Sequence, residues 1–149
     1  MRVAVRAYPG EGLSVIYEYN DGGRECWRGG TPAWRNRNPG NVIANGIAWR
    51  GKIGEAGRFC VFASPEWGMR VVRMILANRR REGCTLAAAI GKYAPACEND
   101  TAAYVQDVAG RCGLAADVPL AALDEVQMEA VAQAIVHHEG CEVGVVEVL

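Results

Sequence analysis

The sequence predicts an α+β fold, with a small N-terminal β-lobe over residues 1–63 and a mainly helical lobe over 64–149. Three observations carry that expectation. Before residue 63, short runs alternate in period two and are broken by glycine-rich turns. After Ser64, apolar residues recur at helical spacing behind recognisable caps. And 149 residues, half of them apolar, suffice for one core. The chain therefore reads as one domain, and a cleft between its lobes is where a long polymer could lie.

Ser14 to Tyr19, the turn Asn20-Asp21-Gly22-Gly23 and Arg24 to Arg28 predict a hairpin. Ile47 to Ile53, a turn around Glu55-Ala56-Gly57 and Arg58 to Ala63 predict a second. Between them lies a loop that neither pattern explains, Trp34-Arg35-Asn36-Arg37-Asn38-Pro39-Gly40-Asn41. Ser64 as N-cap, Pro65 at the first helical position and Glu66 in the first turn open a helix expected to reach Glu82 and stop at Gly83. Its face is Val71, Val72, Ile75 and Leu76. Thr85 caps a shorter helix to about Tyr93, ended by Pro95, and Asp100 or Thr101 caps a third to about Arg111. Asp124 with Gln127 forms a capping box for the last helix, whose stripe is Val126, Ala130, Ala134, Val131 and Ile135 and whose C′ residue is Gly140.

Charge excludes some functions. With a formal net charge of −1, no strong field favours nucleic acid or an anionic membrane, and the run Arg79-Arg80-Arg81 reads as the solvated last turn of a helix. No segment approaches transmembrane length, and the first ten residues lack the apolar stretch of a secretory signal. Six cysteines, Cys26, Cys60, Cys84, Cys97, Cys112 and Cys141, include no Cys-x-x-Cys pair, so disulfides and an oxidising compartment are expected. Injection or phage delivery into the bacterial periplasm would reconcile those disulfides with the missing signal.

The segment Ala134-Ile135-Val136-His137-His138-Glu139-Gly140 puts a carboxyl group on the last turn of an apolar helix. The partial negative charge of the helix end and an apolar setting both disfavour the ionised carboxylate, which suits a proton donor. Gly140 leaves room for a substrate beside it. The plain alternative is a surface acid at a fraying helix end, with His137 and His138 favouring the same dipole.

Four blocks carry a resemblance. They are Trp34-Arg35-Asn36-x-Asn38-Pro39-Gly40-Asn41; Ile53-Gly54 with Phe59-x-Val61-Phe62-x-Ser64-Pro65-Glu66-x-Gly68; Tyr93-Ala94-Pro95-x-x-Glu98-Asn99-Asp100-Thr101-x-x-Tyr104-Val105; and Ile135-x-x-His138-Glu139-Gly140. Together, from about Gly29 to Gly140, they resemble the muralytic domains of phage virions and type VI secretion peptidoglycan glycoside hydrolase effectors. Those domains are lysozyme-like and similar to flagellar-type N-acetylglucosaminidases, with the Asn-rich loop and the Glu-bearing helix in reversed order here. The reversal reads as a circular permutation, which predicts that Gly140 and Asn36 lie near each other in space.

The resemblance implies a glycoside hydrolase acting on peptidoglycan glycan strands, glucosaminidase or muramidase, with antibacterial effect and no cofactor or metal. Glu139 is the implied general acid and Glu55 the facing carboxylate, with Glu98 and Asp100 as competitors for that second role. Carboxyl groups about 5–5.5 Å apart suit a retaining nucleophile and about 6.5–9.5 Å an inverting base, while a substrate-assisted route needs neither. Asn36, Asn38 and Asn41 offer the donors and acceptors that amino sugars require, or else hold the turn by Asx bonds. Trp34, Tyr93 and Tyr104 offer faces for sugar stacking, against a role in the core that is preferred for Trp67. A periplasmic immunity protein is a further expected partner for a secreted toxin. The rival readings are a cysteine-dependent peptidoglycan amidase, a zinc site using His137 or His138, and a noncatalytic wall-binding or virion module.

Overall fold

The structure, a computed structural model, describes residues 1–94 and 100–149. Its elements are β1 (Ala4–Pro9), β2 (Ser14–Tyr19), β3 (Arg24–Arg28), α1 (Pro32–Arg35), β4 (Lys52–Ala56), β5 (Phe59–Phe62), α2 (Pro65–Arg81), α3 (Leu86–Tyr93), α4 (Thr101–Cys112), α5 (Glu125–Glu139) and β6 (Val145–Val148), with a 3-10 turn at Leu120–Ala122. Among the described residues this is an α+β arrangement of five helices and two small antiparallel sheets, ordered β1-β2-β3-β6 and β4-β5. The chain divides into two compact units, Met1–Val71 with Glu139–Leu149, and Val72–His138.

That division departs from a boundary at residue 63, and the reason is pairing at the C-terminus. β6 runs antiparallel to β3, with Val146 opposite Trp27, so the last residues belong to the sheet rather than to a helical lobe. Glycine permits the approach: a Cβ on Gly144 would stand 2.2 Å from the Arg28 carbonyl oxygen. β1 was the other unanticipated strand, and it pairs with β2. The predicted hairpin of β2 and β3 forms with Ser14 opposite Arg28. The second hairpin is shorter than its apolar run suggests, because Gly51, at φ +84°, lies against Trp67 and turns the chain just before β4.

The core of the first unit is Ala4, Ala7, Val15, Tyr17 and Val61, with Tyr19, Trp27, Ile53 and Ala56 packed against it. The two sheets touch backbone to backbone, since a Cβ on Gly54 would stand only 2.0 Å from the Ala7 carbonyl oxygen. Among the described residues the expected disulfide framework is not found. The five described cysteines are free, Cys26, Cys60 and Cys84 buried as small hydrophobic groups, and the case for an oxidising compartment loses its basis; Cys97 lies outside the described residues.

In the second unit the caps act as the sequence predicts. The Thr85 hydroxyl accepts from Ala88 N, Asp100 accepts from Ala103 N, and Asp124 and Gln127 exchange the two bonds of a capping box. Pro95 and Glu98 lie outside the described residues. The stripe on α5 is rotated from the expected one: Met128, Val131, Ala132, Ala134 and Ile135 are buried, whereas Val126 is 79% exposed and Ala130 is exposed. Within the basic run, Arg79 pairs with Glu82, and Arg80 with Glu125 and the Leu123 carbonyl, which fits a solvated helix end. Among the described residues no helix is long and apolar enough to cross a membrane.

The pair Arg73 and Glu129 gives this unit a pH signature. Two bonds from Arg73, at 2.8 and 3.0 Å, and one from Gln133 hold the Glu129 carboxyl down to about 2. A depressed carboxyl contributes stability above its ordinary value of 4.5 and loses it as pH falls toward 2. Both side chains are largely exposed, so solvent screening limits the contribution to under about 1 kcal/mol. Glu129→Gln is expected to remove that slope between pH 4.5 and 2 in urea titrations followed by helical circular dichroism, and an unchanged slope would assign it elsewhere.

Candidate functional site

The Asn-rich loop begins at α1, where the Thr31 hydroxyl accepts from Trp34 N and Pro32 supplies a preset φ. After Asn36 the chain enters left-handed conformations at Arg37 (φ 50°) and Asn41 (φ 48°). Asparagine tolerates that region and arginine does so less readily, so surrounding contacts must hold the loop. They are extensive. Asn38 is fully buried, accepting from Val42 N at 2.8 Å and donating to the carbonyls of Val42 and Cys60 at 3.0 Å each. Asn36 O accepts from Phe62 N, and Gly68 in the first turn of α2 abuts Pro39 and the Arg37 carbonyl.

Asn38 is thus not a substrate ligand but the staple between loop and β5, the Asx-type role open to it from the start. Replacing it by leucine should cost about 2 kcal/mol, because three hydrogen bonds are lost and a buried backbone donor is orphaned. All four tryptophans, Trp27, Trp34, Trp49 and Trp67, lie in the first unit, so urea unfolding followed by their fluorescence measures that loss directly.

Arg37 is the residue that sequence reading overlooked. Its guanidinium is buried 3.8 Å above the Tyr17 ring centre and 4.3 Å from that of Trp27. It donates to the Ala63 carbonyl and to the Tyr19 hydroxyl, both at 2.7 Å. Tyr19 in turn donates to Glu25. Burial pushes the Glu25 carboxyl up, but bonds from Tyr19 and Trp27 with the charges of Arg2 and Arg37 outweigh it, and the net shift is down. Alternating arginine and asparagine beside aromatic strands was the available signal, and it pointed to a cation stacked on rings.

At the far end of the loop, Asn41 Nδ2 donates to Glu139 Oε1 at 2.9 Å, across 98 positions of sequence. Glu139 is half-buried on the last turn of α5, and Gly140 takes the left-handed C′ conformation at φ +79°. The loop and the helix end therefore meet through these two side chains, both within the first unit. An amide donor on one carboxyl oxygen fixes the plane of the group, whichever form the acid takes.

The remaining predicted residues divide. Glu55 is exposed on β4, its carboxylate 3.2 Å from Lys52 Nζ. Trp34 stacks on Trp27 with ring centres 4.8 Å apart, so one face is already used in packing. Trp67, expected in the core, is half-buried against Gly51 with Arg50 over its ring. Tyr104 does not offer a sugar platform: it is 2% exposed and stacks on His138 at 3.8 Å. Tyr93 closes α3, half-buried, in the second unit with Tyr104. Asp100 is committed to capping α4. His138 Nδ1 lies 2.7 Å from Asp107 Oδ2, and that bond, with Arg111 beside it, holds the Asp107 carboxyl below its ordinary value. No spacing in the sequence joined Asp107 to His138.

The thiols argue against a cysteine nucleophile at two positions, since burial pushes both Cys60 and Cys112 up, away from the reactive thiolate. Compared with known proteins, the chain matches no protein-family model and no curated protein.

Proposed function

We infer that the chain is a glycoside hydrolase of bacterial peptidoglycan in which Glu139 is the proton donor. The observation that carries this reading is the bond from Asn41 Nδ2 to Glu139 Oε1, because it joins the two most telling blocks of the sequence in one constellation. A half-buried acid whose orientation is fixed by an amide is suited to protonate a glycosidic oxygen as the bond to the anomeric carbon breaks. Water completes the hydrolysis. Glu55 is the second carboxyl of the reading, and the lysozyme-like fold is part of the same proposal, as is action in the periplasm as an injected effector or phage lysin.

The test is digestion of purified sacculi by the full chain, with mass spectrometry of the soluble products. New reducing ends at N-acetylmuramic acid mark a muramidase, and at N-acetylglucosamine a glucosaminidase. Sacculi bound but left intact would make the chain a noncatalytic wall-binding module, and release of free peptides would make it an amidase; either outcome overturns the reading.

A further inference from the structure

Arg35 is a cation only 8% exposed, and its charge is met by neutral groups alone. Nη1 donates to the carbonyls of Gly29 and Gly30 at 2.8 and 3.0 Å. Among the described residues Arg35 forms no ion pair, in contrast to Arg28 with Glu147 and Arg37 with Glu25. Buried charges in folded proteins are as a rule paired, so a counter-ion is missing from this one. Arg35 Nε and Nη2 carry no hydrogen bond, and they stay within reach of water, whereas Arg37 Nε is sealed in the core. The edge left open is the one on which two N–H groups lie side by side, the fork that matches both oxygens of a carboxylate.

Arg35 lines a cavity of about 340 Å³ in the first unit, at the small end of ligand sites and roomy enough for a residue or two of peptide. Exposed Arg58, whose guanidinium lies 5.3 Å from the Phe59 ring centre, lines it as well, and among the described residues no aspartate or glutamate does. A recess with cations and no acid attracts an anion and repels a cation. The rest of the wall narrows the choice, because Val15, Pro32 and Phe59 present apolar surface that a fully hydrated ion would not use.

We propose that this cavity binds a carboxylate carried on a short aliphatic group, its oxygens accepting from Arg35 Nε and Nη2 and its hydrocarbon packing on Val15, Pro32 and Phe59. The source, the terminal D-alanine of a peptidoglycan peptide stem, rests on the glycoside hydrolase reading; the recognition of a carboxylate beside a hydrocarbon group rests on the cavity itself.

Nitrogen–proton correlation spectra of the full chain test it, titrated with N-acetyl-D-alanyl-D-alanine and in parallel with the same dipeptide as its C-terminal amide and with inorganic phosphate. The acid should shift the Arg35 Nε–H and Gly57 backbone signals to saturation, the amide should leave both in place, and phosphate should bind more weakly. Arg35→Gln should weaken binding of the acid about tenfold or more, the loss of a charge-assisted pair of bonds. Arg35 also holds the Gly29–Gly30 turn, so Leu13→Trp is the second variant: at a cavity-lining position 68% exposed, it should block the space with Arg35 in place and Tm unchanged. Equal shifts with the amide, phosphate bound as tightly as the acid, no saturable response at Arg35, or wild-type binding by a folded Arg35→Gln or by Leu13→Trp would overturn the proposal. Dipeptide bound at Arg35 with sacculi left intact would sink the hydrolase reading and keep the cavity, whereas lysis without a response at Arg35 would do the reverse.

Discussion

Glu139→Gln is expected to slow lysis of purified sacculi by about 10²- to 10⁴-fold, the contribution of a positioned general acid, while sacculus binding and Tm stay unchanged. Glutamine has the shape of glutamate and keeps the oxygen to which Asn41 donates, so the helix end and the loop remain joined. What it lacks is a proton to give to the leaving oxygen. The loss corresponds to about 3–5 kcal/mol of transition-state stabilisation and should fall on kcat, because the substituted group acts on the reacting bond rather than on binding. Lysis at the wild-type rate by a folded variant would remove Glu139 from the mechanism.

Arg37→Met is the second large effect, expected to destabilise the first unit by about 3 kcal/mol. The variant loses two hydrogen bonds donated by a buried cation, to Ala63 O and the Tyr19 hydroxyl, and the stacking on Tyr17 and Trp27. Part of the loss is offset, because Arg37 Nε is itself buried without a partner and methionine fills the space with apolar surface. Arg37→Lys should recover less than half: one ammonium cannot reproduce the planar fork that reaches both acceptors. Urea unfolding monitored by tryptophan fluorescence reads the difference, since Trp27 lies against the guanidinium. A midpoint within error of wild type would show the cation to be incidental. If the loop is held by Arg37, Arg37→Met should also reduce lysis, and Arg37→Lys should restore part of it.

Much of the helical architecture was legible because capping is local chemistry. Ser64-Pro65-Glu66, Thr85, Asp100 and the Asp124–Gln127 box satisfy backbone groups within a few residues of themselves, and all four helices begin where those residues stand. The strands at the two ends escaped notice for the opposite reason. β6 is exposed along its whole length, so no alternation marks it, and its identity comes only from the bonds β3 offers. The same distinction separates Asn36, Asn38 and Asn41. Identical side chains in one loop end as a buried amide with an unpartnered oxygen, a structural staple and the partner of Glu139.

By itself, then, the chain of residues determined which stretches could be helix or hairpin, and it marked the Asn-rich loop and the Glu139 helix end as chemically unusual. Tertiary structure alone decided that these two segments meet, that a buried arginine holds one of them, and that the five described cysteines are free. Turn and cap energies depend on neighbours along the chain, whereas a hydrogen bond between positions 41 and 139 exists only once the intervening chain has paid its ordering entropy in other contacts.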